Sequence, residues 1–250
     1  MRLAANLWAW GSLAVLSVLA LALAGPWLGW GRLRGQSARS AVRNGVWLYG
    51  RIYLHLLRPV ARVNLADRRE ESLAGPALVA VNHQSWLDLY LMAAQNARDV
   101  CFLIRAWPFR RLFFFQPLMR LAGYIETEDV PSEELWSRLR AEVRRGAVLV
   151  AFPEGTRSPD GRLGRFHSGL FKLAVDLNMP IRTLFIHHSG RVMPKGSFLF
   201  RPGRIRMEWG VPLLPEDFAR ASVPHGAMRR AARMIFHQAL APSEHDQSLA

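Results

Sequence analysis

Cysteine is nearly absent: Cys101 stands alone among 250 residues, which excludes an intramolecular disulfide and the zinc layouts built on paired thiols. The working part is expected in a reducing compartment. Lysine is almost as scarce, with Lys172 and Lys195 the only two of the 33 cationic residues. Neither falls in a motif, so the skew reads as compositional bias rather than mechanism. Acids are few as well, 19 against 33 cations, for a formal net charge of +14. Such a surplus calls for an anionic partner, and nucleic acid is the first class to test. No nucleic-acid-binding module is present, nor an arginine stripe interleaved with base-stacking aromatics. Internal repeats and low-complexity segments are also lacking. Half of the residues are apolar and 9 are Trp, which excludes a disordered chain.

What the sequence does hold, first of all, is an apolar N-terminus. Residues 7–30 run 24 positions without a charge, longer at about 1.5 Å per residue than the roughly 30 Å of hydrocarbon in a bilayer. A membrane is therefore the better partner. A secretory signal is the competing reading, but the run is long for one and ends in Gly-Pro-Trp-Leu-Gly-Trp rather than at a small-residue cleavage site. Arg32, Arg34, Arg39, Arg43 and Arg51 follow the run and Arg2 alone precedes it. That bias places the remainder on the cytoplasmic face of the inner membrane, behind a single-pass or monotopic helix. A second apolar stretch, 46–57, contains Arg51 and is too short to span. It reads as an interfacial amphipathic segment or a helix of the soluble domain.

From about residue 75 the rhythm changes. Short apolar runs at 77–81, 100–104, 124–125, 147–152 and 181–186 predict strands; the patterns at 86–94, 109–121, 131–145 and 168–177 predict helices. A strand at 204–209 and an arginine-rich helix at 225–240 close the domain. The expected fold is α/β, a mostly parallel mixed sheet flanked by helices, with an N-terminal transmembrane or membrane-inserted helix. The division that follows is 1–35 membrane anchor, 36–74 interfacial amphipathic helical segment, 75–242 α/β domain and 243–250 flexible tail. The segment 107–115 mixes bulky aromatics with Arg110 and Arg111, which suits either a helix lying at a lipid interface or plain core.

Two loops at strand ends carry chemistry. In the first, 82–88, His83 is followed five residues later by Asp88, at a strand-to-helix transition where the carboxylate can turn back to fix the imidazole tautomer and stabilise its protonated form. No G-x-S-x-G elbow exists, and Ser85 is too close in sequence to be attacked through His83. The nucleophile is then the substrate's own hydroxyl, with His83 as general base, which points to group transfer. Capping by Asn82 or Ser85, with Asp88 complementing the helix dipole, explains the same residues without chemistry. The second loop, 152–158, reads Phe-Pro-Glu-Gly-Thr-Arg-Ser. Gly155 lets backbone N–H groups approach an anion and Arg157 can grip a phosphate, while Glu154 either holds Arg157 or binds a substrate hydroxyl. An ordinary turn with a solvated Glu154–Arg157 pair is the bland alternative.

Taken together, Asn82, His83, Ser85 and Asp88 in N-H-x-S-x-x-D and F-P-E-G-T-R-S at 152–158 resemble the glycerolipid acyltransferase family, of which lysophosphatidic acid acyltransferase is the best known member. The resemblance covers roughly residues 45 to 220. It implies an enzyme in which His83, oriented by Asp88, deprotonates a glycerol hydroxyl that attacks the thioester of acyl-CoA or acyl carrier protein. It implies that Glu154, Gly155 and Arg157 hold the acceptor's phosphate or polar head, with Thr156, Ser158, Asn82 and Ser85 assisting. No metal or organic cofactor is implied. The partners expected are membrane lipids, a lysophospholipid acceptor and the acyl donor, and no nucleic acid.

The sequence departs from the family's pattern where acceptor cations are expected. Glu126-Thr127-Glu128-Asp129 stands where the second motif carries an arginine, His167 replaces the lysine of F-K-x-G, and Thr183 stands where a second proline of the fourth motif belongs. Arg105, Arg162, Arg165 and Arg182 are the cations that could substitute. The leading expectation is acylation of lysophosphatidic acid to phosphatidic acid. Another lysolipid, such as lyso-ornithine lipid, is the alternative acceptor. From a different class comes a non-catalytic protein that holds anionic membrane or nucleic acid, salt-sensitive and indifferent to His83 and Asp88.

Overall fold

A computed structural model of the chain describes residues 2–65, 75–111 and 115–241. The helices are α1 (Arg2–Leu33), α2 (Ala38–Leu56), α3 (Leu87–Leu91), α4 (Ala106–Arg111), α5 (Gln116–Leu121), α6 (Ser132–Arg144), α7 (Gly169–Leu177), α8 (Ser189–Val192) and α9 (Pro224–Ala239). The strands are β1 (Ala61–Leu65), β2 (Ala77–Val81), β3 (Val100–Ile104), β4 (Ile125–Glu126), β5 (Val148–Ala151), β6 (Ile181–His187) and β7 (Gly203–Trp209). They form one sheet in the order β1-β7-β6-β2-β5-β3-β4. Every neighbouring pair is parallel except β6 with β7.

The centre of the sheet consists of strands with no polar residue, because both of its faces are covered. Val79 and Val81 of β2 face one apolar cluster with Tyr53 and Leu54 of α2 and Leu87 and Leu91 of α3. Leu78 and Ala80 face the other, built from Leu170 and Phe171 of α7, Met228 and Phe236 of α9 and Leu139 of α6. Helices on both faces of a mostly parallel mixed sheet are the architecture that alternating strand and helix patterns implied.

Three features depart from the sequence reading. The stretch 36–74, expected as one interfacial helical segment, holds α2 and then an edge strand: β1 pairs in parallel with β7, from Ala61 opposite Gly203 to Leu65 opposite Met207. The outward Arg62 and Asn64 alternate with Ala61, Val63 and Leu65 as in a half-buried strand, a shorter signal than the unbroken apolar runs of the inner strands. The helix expected over 109–121 is two, α4 and α5, and the Phe113 and Phe114 of that aromatic stretch lie outside the described residues, as does the tail at 243–250. Finally, of the two readings of 46–57 the helix of the soluble domain is the one observed, within α2, and it brings a buried charge that neither reading included. Its Arg43 is buried and its guanidinium donates to the carbonyls of Ala122 (2.7 Å) and Gly123 (3.2 Å) and pairs with Asp99 (2.9 Å) and Glu142 (2.8 Å). Arg39 and Arg145 close on the same Glu142 at 2.8 and 2.9 Å. This ion network joins α2 to α6 and to the amino-terminal ends of β3 and β4.

The long helix α1 is apolar enough to cross a membrane by length and composition, yet it is seated along α2. Trp27 Nε1 donates to Ala41 O at 2.7 Å, Ser17 and Tyr49 share a hydroxyl hydrogen bond at 2.8 Å, and Trp8 Nε1 donates to Leu56 O at 2.7 Å. At its start, Asn6 makes a reciprocal amide pair with the Phe200 backbone (3.0 and 2.7 Å) and Trp10 Nε1 donates to Phe198 O at 2.8 Å. Gly31 permits the closest approach, since a Cβ there would lie 2.8 Å from that of Ala41. The opposite face exposes Leu7, Val15, Val18, Leu21 and Leu23.

Candidate active site

β2 and β5 are neighbours, and the chain leaves them in opposite directions across the sheet, β2 toward β3 and β5 toward β6. A crevice opens at the carboxyl ends of strands where connections diverge in this way. Both chemistry-bearing loops emerge there. They are stitched together by Ser158 N donating to His83 O at 2.8 Å and by His83 N donating to Glu154 Oε1 at 2.9 Å.

Asp88, fully buried at the start of α3, is the organising residue of the first loop. Its Oδ2 accepts from His83 Nδ1 at 2.8 Å, from Gln84 N at 2.7 Å and from Ser85 N at 2.8 Å. One carboxylate oxygen therefore shapes the loop and sets the imidazole, assigning the proton to Nδ1 and leaving the Nε2 lone pair outward. The ring stacks on Phe152 with centroids 4.2 Å apart, and Nε2 has no protein partner among the described residues. The thiol of Cys101 is no rival nucleophile: it is buried in the sheet, and burial pushes it up to about 12.

Three residues expected to touch substrate are instead buried struts. Asn82 spans to β6, donating to Ile186 O and accepting from Ile186 N, both at 2.8 Å. Ser85 Oγ donates to Met193 O at 2.8 Å and caps Leu87 N at 3.2 Å. Glu154 does not reach Arg157. Its Oε1 holds His83 N and its Oε2 holds Gly164 N at 2.8 Å, so both oxygens are occupied by backbone. Burial pushes the Glu154 carboxyl up, opposed by those two N–H groups. Glutamine keeps the volume but presents an NH2 to one of the two donors. Glu154→Gln is therefore expected to stay folded in a thermal melt and to lose roughly 10-fold or more of its turnover, the effect of one lost charge-assisted hydrogen bond.

Gly155, Thr156 and Arg157 line the crevice. Gly155 sits at φ +66°, and a Cβ there would press to 3.1 Å from the His167 ring and 3.3 Å from Arg105 Cδ, so the turn tolerates only glycine. The Arg157 guanidinium lies 4.7 Å over the Trp86 ring, which meets Trp107 edge-on. Burial pulls its pKa down and Asp88 pushes it back up. Among the suggested substitute cations, Arg105 comes closest but is paired with Glu128 at 2.6 Å. Arg162 points into solvent beside Asp160, and Arg182 stacks on Trp209 near the amino end of β6, away from the loops.

One cation went unforeseen. Lys195, set aside as compositional noise, donates to Arg157 O at 2.7 Å and to Thr156 Oγ1 at 3.3 Å. Its distance of 38 residues from Arg157 and its place in an unpatterned loop gave the sequence no means of flagging it.

The chain is similar in sequence to proteins named as acyltransferases. A Brassica napus protein named 1-acyl-sn-glycerol-3-phosphate acyltransferase BAT2, chloroplastic, is 30% identical over 124 residues, 49% of this chain and 36% of its own. A Cocos nucifera 1-acyl-sn-glycerol-3-phosphate acyltransferase is 31% identical over 183 residues, 71% of this chain and 59% of its own. The chain thus spans about a third to three-fifths of the length of these two relatives. The fold is shared with the crystal structure of the 1-acyl-sn-glycerophosphate (LPA) acyltransferase PlsC from Thermotoga maritima, at a TM-score of 0.67 and 20% identity over 98% of this chain and 100% of that one. A family model described as Acyltransferase matches residues 60–187, just over half of the chain and both loops of the crevice, and the chain belongs to that family.

Proposed function

We propose that the chain transfers a fatty acyl group from a thioester, acyl-CoA or acyl carrier protein, to the free hydroxyl of lysophosphatidic acid, giving phosphatidic acid. The observation that carries this reading is the imidazole of His83, fixed by Asp88 at 2.8 Å, with its second nitrogen open beside the Gly155–Arg157 turn and, among the described residues, no serine or cysteine side chain bonded to that nitrogen. The acceptor hydroxyl gives its proton to His83 Nε2 as its oxygen attacks the thioester carbonyl carbon. The tetrahedral adduct then collapses, the C–S bond breaks, and the imidazolium returns the proton to the departing thiolate. Asp88 stabilises the imidazolium between the two transfers. The chemistry as written needs no metal or organic cofactor.

The same reading places the protein on a membrane. The exposed apolar face of α1, with Asn6 and Trp27 near its two ends bonded to the rest of the chain, supports a helix lying in one leaflet, with the crevice on the cytoplasmic side favoured by the arginines that follow it. A second acceptor remains in play through one specific observation: Glu128 and Asp129 occupy the crevice wall, closing Arg105 and Arg110 into ion pairs. That wall suits a zwitterionic lysolipid head. The test is a side-by-side panel of lysolipid acceptors with acyl-CoA, the product identified by mass spectrometry. Preference for lysophosphatidic acid is expected, preference for a zwitterionic lysolipid reassigns the acceptor, and transfer to none rejects the activity.

A further inference from the structure

Cations around the crevice differ in whether their charge is already spent. Arg105 and Arg110 are closed by Glu128 and Asp129, and Arg162 lies beside Asp160. The nearby carboxylates are likewise committed, Asp88 to the first loop and Glu154 to two backbone amides. Arg157 and Lys195 are different. Arg157 rests on the face of Trp86. Lys195 is stationed by neutral acceptors, the carbonyl of Arg157 and the hydroxyl of Thr156. Neither lies within ion-pair distance of a carboxylate among the described residues, and Asp88 acts on Arg157 only from farther off. An ammonium has three donors, so Lys195 keeps its full charge and one N–H for something that is not protein.

The position of Lys195 is also enforced. It belongs to a strap between α8 and β7 that is pinned beside the first loop by Ser85 Oγ on Met193 O at 2.8 Å and by Gly190, where a Cβ would come to 3.2 Å from Gln84 Cβ. The strap is closed on itself by Arg201 N donating to Val192 O at 2.8 Å and seated on α1 through Phe200. A phosphate monoester carries between one and two negative charges at neutral pH and is best met by two cations, one planar and one a point charge.

We propose that Lys195 joins Arg157, which the family resemblance already assigns to the acceptor's head, in a two-cation clamp for the phosphate monoester of the acyl acceptor. This rests on the acyltransferase reading above and makes Lys195 a determinant of acceptor choice. It accounts for how a crevice with an acidic wall holds a doubly charged head: the wall is neutralised internally, and the clamp sits on the other loop.

The experiment measures acceptor and donor kinetics separately for detergent-purified wild type, Lys195→Met and Lys195→Arg, with lysophosphatidic acid and with monoacylglycerol, which lacks the phosphate. Lys195→Met is expected to raise the KM for lysophosphatidic acid roughly 10- to 100-fold, the worth of one charged hydrogen bond, with a much smaller change in kcat. Lys195→Arg restores most of the affinity, and the discrimination between the two acceptors shrinks by the same factor as the KM rises. An equal KM in wild type and Lys195→Met overturns the clamp. A rise confined to the KM of acyl-CoA also overturns it, assigning the lysine to the donor's phosphates instead. Calorimetric binding of glycerol 3-phosphate, compared between wild type and Lys195→Met, judges the clamp even if wild type acylates no lysolipid: weaker binding in the variant supports it and equal binding rejects it.

Discussion

His83→Ala is expected to cut acyl transfer by roughly 100- to 10,000-fold, the span typical of a positioned general base. The imidazole, 15% exposed, sits on a loop whose shape depends on Asp88 rather than on His83 itself, since Asp88 Oδ2 also holds the amides of Gln84 and Ser85. The alanine variant should therefore melt close to wild type, and the loss should appear in kcat when free thiol is followed at saturating acceptor. Asp88→Asn separates the two duties of that carboxylate. With its amide oxygen toward the loop, Nδ1 and the two backbone amides keep their acceptor, but the charge that stabilises the imidazolium is gone. A fall comparable to that of His83→Ala is expected, with little effect on KM. Full turnover in either folded variant would remove the proposed mechanism.

The second large effect is on stability and sits at the opposite end of the sheet. Arg43→Met keeps an aliphatic stem of similar length but takes the guanidinium away from two carbonyls and from Glu142, a buried carboxylate whose only other ion-pair partners among the described residues are the more exposed Arg39 and Arg145. Removing one partner of a buried ion pair typically costs about 3–5 kcal/mol, against a total stability of about 5–15 kcal/mol for a domain. A large drop in denaturant midpoint is expected in detergent solution. Adding Glu142→Gln removes the stranded charge, so the double variant should recover part of the loss rather than add to it. A single variant as stable as wild type would show that α2 is held by its apolar face alone.

How legible each part was follows from where its information resides. β2 and β5 were plain because a strand buried on both faces has no choice but an unbroken apolar run, as in Ala77–Val81. The edge strand β1 was not, because its outer positions are polar and its partner β7 lies some 140 residues away in the register Ala61 to Gly203. The crevice was visible as two chemically unusual loops, and the His83–Asp88 contact followed from a five-residue spacing at a strand end. The misassigned residues, Asn82, Ser85 and Glu154, are those whose partners are distant: 104, 108 and 71 residues along the chain for Ile186, Met193 and His83. A carboxylate or amide reads the same whether it will face substrate or brace a neighbouring loop, and only the fold decides. Lys195 is the converse, a residue with no local signature that tertiary structure delivers to the turn.

The segment that carries Lys195 has a second attachment, where Phe198 and Phe200 receive Trp10 and Asn6 of the first helix. If Lys195 grips the acceptor as proposed, greasy lodging and headgroup selectivity are mechanically linked through the short stretch from Lys195 to Phe200. Solubilisation conditions that pry the helix from its seat should blunt discrimination among acceptors while the sheet itself is still intact, so that the choice of surfactant becomes a variable of specificity and not only of yield.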